Sequence, residues 1–288
     1  MRQDREYDVE GGLGITVRRI IAYIVLILLT VLCLFWFYIL FVNASRSHSE
    51  LTRGFTLIPG KYLVTNWLNV MHGTQPIVKG MLNSFIIAAC ASILCVYFST
   101  MTAYAIHVYD FKAKKAIFTF ILAVMMIPTQ VTALGFIKLV QGIKLEDSFI
   151  PLIIPTIAAP ATFYYMKQYM ESTLPHAIVE AARIDGANEV RTFNTISLPM
   201  MKPAIAVQMI FTFVFNWNNY FTPALILHDE KKKTLPILIA QLRSADFLKF
   251  DMGQVYVTIA FSIFPVIIVY LCLSRFIVGG VALGSVKG

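Results

Sequence analysis

Four hydrogen-bonding side chains, Gln208, Thr212, Asn216 and Asn219, follow one another at steps of four, four and three residues, the repeat that sets them along one stripe of a helix. Thr222 and Pro223 come next, and Trp217 and Tyr220 stand beside the stripe. Amides, a hydroxyl and aromatic rings, with no charge among them, suit a neutral polar solute carrying hydroxyls on its edges and CH groups on its faces, as sugars do. The same amides can instead bond neighbouring helices, worth about 0.6 kcal/mol each inside a bilayer, and spacing leaves both readings open. A second set lies upstream, in EAARIDGANEVRTFNTISLP, residues 180–199. Glu180, Arg183, Asp185 and Arg191 supply charge there, Ala181 and Ala182 a smooth patch that another backbone can approach, and Gly186 a turn that tolerates positive φ. This is equipment for docking against a partner or, on the same physics, for resting an amphipathic surface helix on lipid headgroups.

The elements that must position these residues follow from hydropathy. Of 288 residues 58% are hydrophobic and 14% charged, well away from the roughly one-quarter charged content of soluble domains. Apolar blocks fall at 20–42, 81–106, 116–139, 148–166, 204–227 and 255–274, each near the length of about 20 residues that crosses a hydrocarbon core as a helix. The fold class expected is therefore all-α, a polytopic membrane protein of about six transmembrane helices. Residues 1–19 form an N-terminal segment, 20–274 a single membrane domain with an intervening loop at 171–202, and 275–288 a tail. The first block is too long for a signal-peptide core, in spite of a faint cleavage-like Val42-Asn43-Ala44, and reads as a retained anchor. Pro151, Pro155 and Pro160 break the fourth block. Pro128, with Gln130 and Thr132 nearby, marks a kink in the third that could bend during gating.

Lys and Arg divide 13 to 11 between the two faces implied by six crossings, so the overall count does not orient the chain. Arg18-Arg19 and the short loop holding Lys112, Lys114 and Lys115 place both termini and the 180–199 segment on the cytoplasmic side. Within that segment, Pro175 opens a short helix of about 175–185. Asn188 caps a second helix, which Leu198-Pro199 ends. Between them Asp185-Gly186 makes a turn.

Several classes of chemistry are disfavoured. Gly60-Lys61 lacks both the upstream glycine and the following hydroxyl of a phosphate-binding loop, and His48, His72, His107, His176 and His228 are scattered rather than set at metal spacing. Cys33, Cys90, Cys95 and Cys272 lie within spans without CxxC spacing and read as packing residues. The net charge of +8 fits attraction to anionic lipid, and no basic-aromatic interleaving suggests nucleic acid. An ion-coupled carrier would place ionisable groups at mid-membrane, whereas Lys138, His107 and Arg275 sit near span ends.

The order Glu180-Ala181-Ala182, Gly186, Ile196, Leu198-Pro199 resembles the EAA loop of permease subunits of bacterial ABC importers, with every spacing intact. The similarity runs through Asn83-Ser84, Ala103-Tyr104-Ala105, Met126-Ile127-Pro128, Trp217-Asn218 and the tail Gly284-Ser285-Val286-Lys287-Gly288, and is closest to the carbohydrate branch, the shorter maltose-type permease. His107 stands where that family has arginine, 176–179 lack its acidic residue, and Ser285 replaces alanine. The resemblance implies a coupling hairpin: Glu180 pairing with a cation of an ATPase groove, Ala181 and Ala182 permitting close approach, Gly186 turning the chain, and Val286, Lys287 and Gly288 reaching along the ATPase dimer. It further implies a second permease, two ATPase subunits that use ATP and Mg, an extracytoplasmic solute-binding protein received by 43–80 and 228–254, membrane lipid around the spans and a carbohydrate substrate. No cofactor is expected on this chain. Importers of other small solutes share the loop, and a membrane anchor without a pathway is the alternative of another class.

Overall fold

The computed structural model describes residues 12–244 and 250–284. Among them every regular element is helical. Val286, Lys287 and Gly288 lie outside the described residues. The chain forms two compact units, residues 1–68 with 251–260 and residues 69–250 with 261–288.

The first unit is led by α1 (Gly12–Ala44), whose apolar surface stands exposed along most of its length, Val42 and Ala44 being buried at its C-terminal end. In water that surface would be untenable; as a span it faces hydrocarbon. After α1 the chain turns a corner that is fixed by hydrogen bonds. Asn66 Nδ2, on α3 (Leu63–Met71), donates to the carbonyls of Ala44 and Arg46, both at 2.9 Å. Gly60 N donates to Ser45 Oγ at 2.9 Å. The short α2 (His48–Thr52) between them starts with a capping box of Ser47 and Glu50. Gly60 is required here, because a Cβ on it would lie 2.4 Å from the Ser45 carbonyl oxygen. Gly60→Ala is accordingly expected to cost about 1–3 kcal/mol of stability, seen as a lower melting temperature of the purified protein; an unchanged melting temperature would mean that the corner is loose.

The second unit is organised around α4 (Ile77–Val108), a continuous helix that covers the expected span 81–106. Its buried face carries Ala88, Ala91, Cys95, Ser99 and Ala103 at three- and four-residue steps. Small side chains are what let helices close on each other in lipid, where apolar burial offers no net drive, and α8 (Pro160–Thr173) and α12 (Lys202–Trp217) pack along α4. The start of α4 is tied to the segment 231–235: Asn83 Nδ2 donates to the carbonyls of Lys231 (3.1 Å) and Lys233 (2.9 Å), and Leu235 N donates to Ser84 Oγ at 2.9 Å.

Three of the expected spans are assembled from pieces. The stretch 116–139 is α5 (Lys114–Val124) and α6 (Thr129–Gly142), with Pro128 in extended conformation as the N-cap of α6; the proline ends one helix and starts another rather than kinking a single one. The stretch 148–166 is α7 (Ile150–Ile153), a 3₁₀ turn over Ile154–Ile157 and α8 (Pro160–Thr173), parted at the prolines. Then come α9 (His176–Ile184), α10 (Glu189–Thr192), a π turn over Phe193–Ser197 and α11 (Leu198–Met200). The stretch 204–227 is α12 (Lys202–Trp217) and α13 (Phe221–Ile226). Last are α14 (Leu235–Arg243) and α15 (Met252–Gly284), which contains the expected 255–274 span. Among the described residues three stretches are long and apolar enough to cross a bilayer unaided, Thr16–Ala44, Ile77–Val108 and Met252–Ile277. Glu189–Met200 with Lys202–Trp217 is a fourth candidate, bent by 81°.

Candidate functional site

Two constructions carry the chemistry, and both belong to the second unit. The first is a cavity of about 1240 Å³. Its walls come from α4, α6, α8, α12 and α13 and from the broken stretches between them, including Ala158, Ala159 and Asn219. Interrupted backbone at membrane depth is tolerated where it lines such a space, so the helix breaks and the cavity are one feature. Gln208, Thr212, Asn216 and Asn219 all line it, with Phe211, Phe215, Phe221 and Tyr165 supplying aromatic surface and Thr132 lying opposite in sequence on α6. No Asp, Glu, Lys, Arg or His stands among the lining residues.

The stripe is also partly satisfied by its own helix. Thr212 Oγ1 donates to the Gln208 carbonyl at 2.7 Å and Asn216 Nδ2 to the Thr212 carbonyl at 2.8 Å. Asn219 Oδ1 accepts from Thr222 N at 3.3 Å. In each amide the other polar atom is left for a further contact.

The two aromatic residues expected beside the stripe are placed elsewhere. Trp217 is 3% exposed and stacks on Phe213 at 5.9 Å with 15° between planes, and it does not line the cavity. Tyr220 is about half exposed and also outside the lining. Helical phase explains the correction: Trp217 is one step, about 100°, from Asn216, which turns it from the cavity into the packing of α12. The rings that do line the space, Phe211 and Phe215, sit one turn apart next to Thr212 and Asn216, an apolar pattern indistinguishable in sequence from a lipid-facing stripe.

The second construction is the hairpin over 176–200. α9 buries Val179 and Ala182, and Val179 joins a core with Tyr104, Ile106, Met166, Met170 and Phe193. α9 ends in a Schellman arrangement: Gly186 N donates to the Arg183 carbonyl and Ala187 N to the Ala182 carbonyl, both at 3.0 Å, with Gly186 at φ +78°. Asp185 is the C-cap. Asn188 caps α10 by accepting from Arg191 N at 2.8 Å. Pro175 stands just ahead of α9, at its N-cap, rather than in the first turn. Pro199 does not end the second helix. The backbone widens to a π turn before it and helical structure runs to Met200, which accommodates the missing donor and the ring without stopping the chain.

Exposure divides the expected docking residues. Glu180, Ala181 and Asp185 are exposed, and Ile184 (86%) and Val190 (71%) present large apolar side chains beside them. Ala182 is 5% exposed, so its small size serves packing within the chain, and the patch offered outward is Ala181 without it. Arg183 is engaged internally, its Nε donating to Glu189 Oε1 at 2.7 Å. The Arg183 guanidinium, followed by the Tyr109 hydroxyl, holds the Glu189 carboxyl below its ordinary 4.5. A lowered folded value stabilises above the free value and is lost as pH falls through the folded one, so this pair is intact at neutral pH. Glu189 itself carried no sequence signal, since six residues from Arg183 is not a helical neighbour.

His107 and His176, both among the departures from the family pattern, touch: their rings stack at 4.5 Å and 28°. His107 Nε2 donates to the Leu174 carbonyl at 2.9 Å, since that oxygen can only accept. The stack joins the last turn of α4 to the first turn of α9.

A central aromatic and amide cavity between broken membrane helices, with a capped hairpin packed at one end, defines a membrane transport component. Residues 96–282 match the binding-protein-dependent transport system inner membrane component family, and the chain belongs to that family. It is 32% identical over 279 residues to the arabinooligosaccharides transport system permease protein AraQ of Bacillus subtilis, covering 95% of this chain and 97% of that one. It is 33% identical over 268 residues to the sn-glycerol-3-phosphate transport system permease protein UgpE of Yersinia pestis, covering 91% and 95%. Among solved structures, a chain from the crystal structure of a bacterial ABC transporter involved in the import of the acidic polysaccharide alginate superposes with a TM-score of 0.77, at 21% identity, over 92% of this chain and 98% of that one. That likeness speaks for the fold. The chain is thus a multi-pass component of the inner membrane and a part of a transport system.

Proposed function

We propose that this chain is one permease subunit of an ATP-driven importer and that its cavity passes a neutral carbohydrate. The relatives are divided on charge: one is named for arabinooligosaccharides, one for a glycerol phosphate. The observation that carries the choice is the lining, in which amides, hydroxyls and rings occur without an ionisable Asp, Glu, Lys, Arg or His. An anionic solute would leave water with no cation to meet it. On this reading a second, homologous permease completes the passage and the 176–200 hairpin docks one of two ATPase subunits, the other being held by the second permease. ATP and Mg are used there, and no ATPase chemistry belongs to this chain. An extracytoplasmic binding protein delivers the sugar. Both termini lie in the cytoplasm, residues 20–274 form the membrane domain in six crossings, and Val286, Lys287 and Gly288 extend toward the ATPases. Pro128, at the break between α5 and α6, is a gating hinge.

The test is uptake of labelled arabinotriose and, in parallel, of labelled glycerol 3-phosphate, in cells with and without the ATPase gene of the system. Uptake of the neutral probe that depends on the ATPase supports the reading; uptake of either probe without any ATPase would end it. Asn216→Ala and Asn219→Ala are expected to weaken apparent affinity about two- to twelvefold each, from roughly 0.5–1.5 kcal/mol per hydrogen bond, with the complex still assembled. Unaltered affinity with reduced stability in both would make the stripe structural.

A further inference from the structure

We propose that the Glu189 carboxylate is the positioning group that fixes the hairpin to α4, so that the two move as one body. The proposal rests on the reading of the hairpin as an ATPase dock.

Both carboxylate oxygens are used, and by different elements. Oε1 receives Arg183 Nε of α9 at 2.7 Å and Oε2 receives the hydroxyl of Tyr104, on α4, at 3.1 Å. The Arg183 guanidinium also lies over the Tyr109 ring, 5.6 Å from its centroid. Tyr104 is 3% exposed and held edge-on to Tyr109 at 6.2 Å and tilted against Phe193 at 5.4 Å, so its hydroxyl has a fixed position. Seven residues earlier, on the same face of α4, Tyr97 donates to Asn194 Oδ1 at 3.2 Å and packs edge-on to Phe193. Two tyrosines on α4 thus grip the segment 189–194 at two points, and only at Glu189 is α9 included.

The ion pair is not a source of stability. The Arg183 and Glu189 side chains are 39% and 41% exposed, and pairs that solvated contribute little to folding. What the contact supplies is register: remove the carboxylate and α9 retains an arginine over a ring, while a buried tyrosine hydroxyl loses its acceptor. α4 then runs without a break to Cys95 and Ile87, which line the cavity. From Tyr104 to Cys95 is nine residues, about 13 Å of helix. The His107–His176 stack and the packing of Val179 hold the start of α9 to α4, and the clamp sets the angle of its far end, where a displacement imposed on the hairpin enters α4.

The experiment places nitroxide labels at Met101 and Ile184, both exposed, through a noncanonical residue so that the native cysteines stay. Distance distributions are recorded for the full chain in nanodiscs, and again in its complex with and without ATP and vanadate. With Glu189 present, one narrow distribution is expected in every state. Glu189→Ala, and separately Tyr104→Phe, are expected to at least double its width while changing the melting temperature by no more than about 3 °C. Glu189→Gln, whose amide oxygen still accepts from Tyr104, is expected to keep the distribution narrower than Glu189→Ala does. Unchanged width in both Glu189→Ala and Tyr104→Phe overturns the clamp, whatever happens to the melting temperature, and so does a glutamine variant as broad as the alanine one. A chain that binds no ATPase defeats the docking reading instead, and the widths measured on the chain alone still decide the clamp.

Discussion

Gly186→Val is expected to abolish coupled uptake, with a loss of tenfold or more, while α4 and the cavity stay folded. The residue sits at φ +78° and no atom lies within 4 Å of where its Cβ would be, so the obstacle is the backbone and not space. A β-branched residue in that region costs about 1–3 kcal/mol, comparable to what two terminal hydrogen bonds contribute. The bonds from Gly186 N and Ala187 N to the Arg183 and Ala182 carbonyls would open, and α9 would lose its fixed angle to α10. Gly186→Asn is expected to retain most uptake, since asparagine tolerates positive φ. Uptake and ATP hydrolysis measured together on the reconstituted complex check this. Wild-type uptake by the valine variant would remove the turn from the mechanism.

Trp217→Ala is expected to lower stability by about 3 kcal/mol, the lower end for a buried aromatic truncated to alanine. In lipid the loss is one of dispersion contacts and ring stacking on Phe213, with little contribution from transfer out of water. The surviving protein should show unchanged apparent affinity for sugar. Thermal unfolding of the purified chain and uptake at several sugar concentrations separate the two quantities. A weakened affinity with normal stability would put Trp217 in the passage, contrary to its 3% exposure.

Local rules made the hairpin legible in the sequence. Asn188 as a cap and Gly186 as a turn need only the backbone around them, and both stand where those rules put them. What could not be read was which face of α9 the rest of the chain would cover. Val179 packs in one core with Tyr104 and Phe193, which come from α4 and the π turn, and Ala182, three residues further along the same face of α9, is covered with it. For the same reason Arg183 looked free for a partner while its carboxylate was six residues on, out of helical phase. In the cavity, period and polarity identified the lining amides of α12, and phase error misplaced Trp217. The prolines announced a break in the fourth segment and only a kink in the third, and not that the interruptions would gather around one space, which depends on how α4, α8 and α12 pack.

α4 is fastened at both ends, by Asn83 and Ser84 to the segment 231–235 and by Tyr97 and Tyr104 to the hairpin. Its 32 residues amount to about 48 Å of unbroken helix. A rod of that length gripped at each end carries torque as well as thrust, so the segment 231–235 and the hairpin are loads on a single shaft. A twist applied at one grip would arrive at the other as a change of angle, and the reverse holds equally. Communication between the two ends then requires no relay of side chains in between, only that the shaft stay stiff and its two grips not slip.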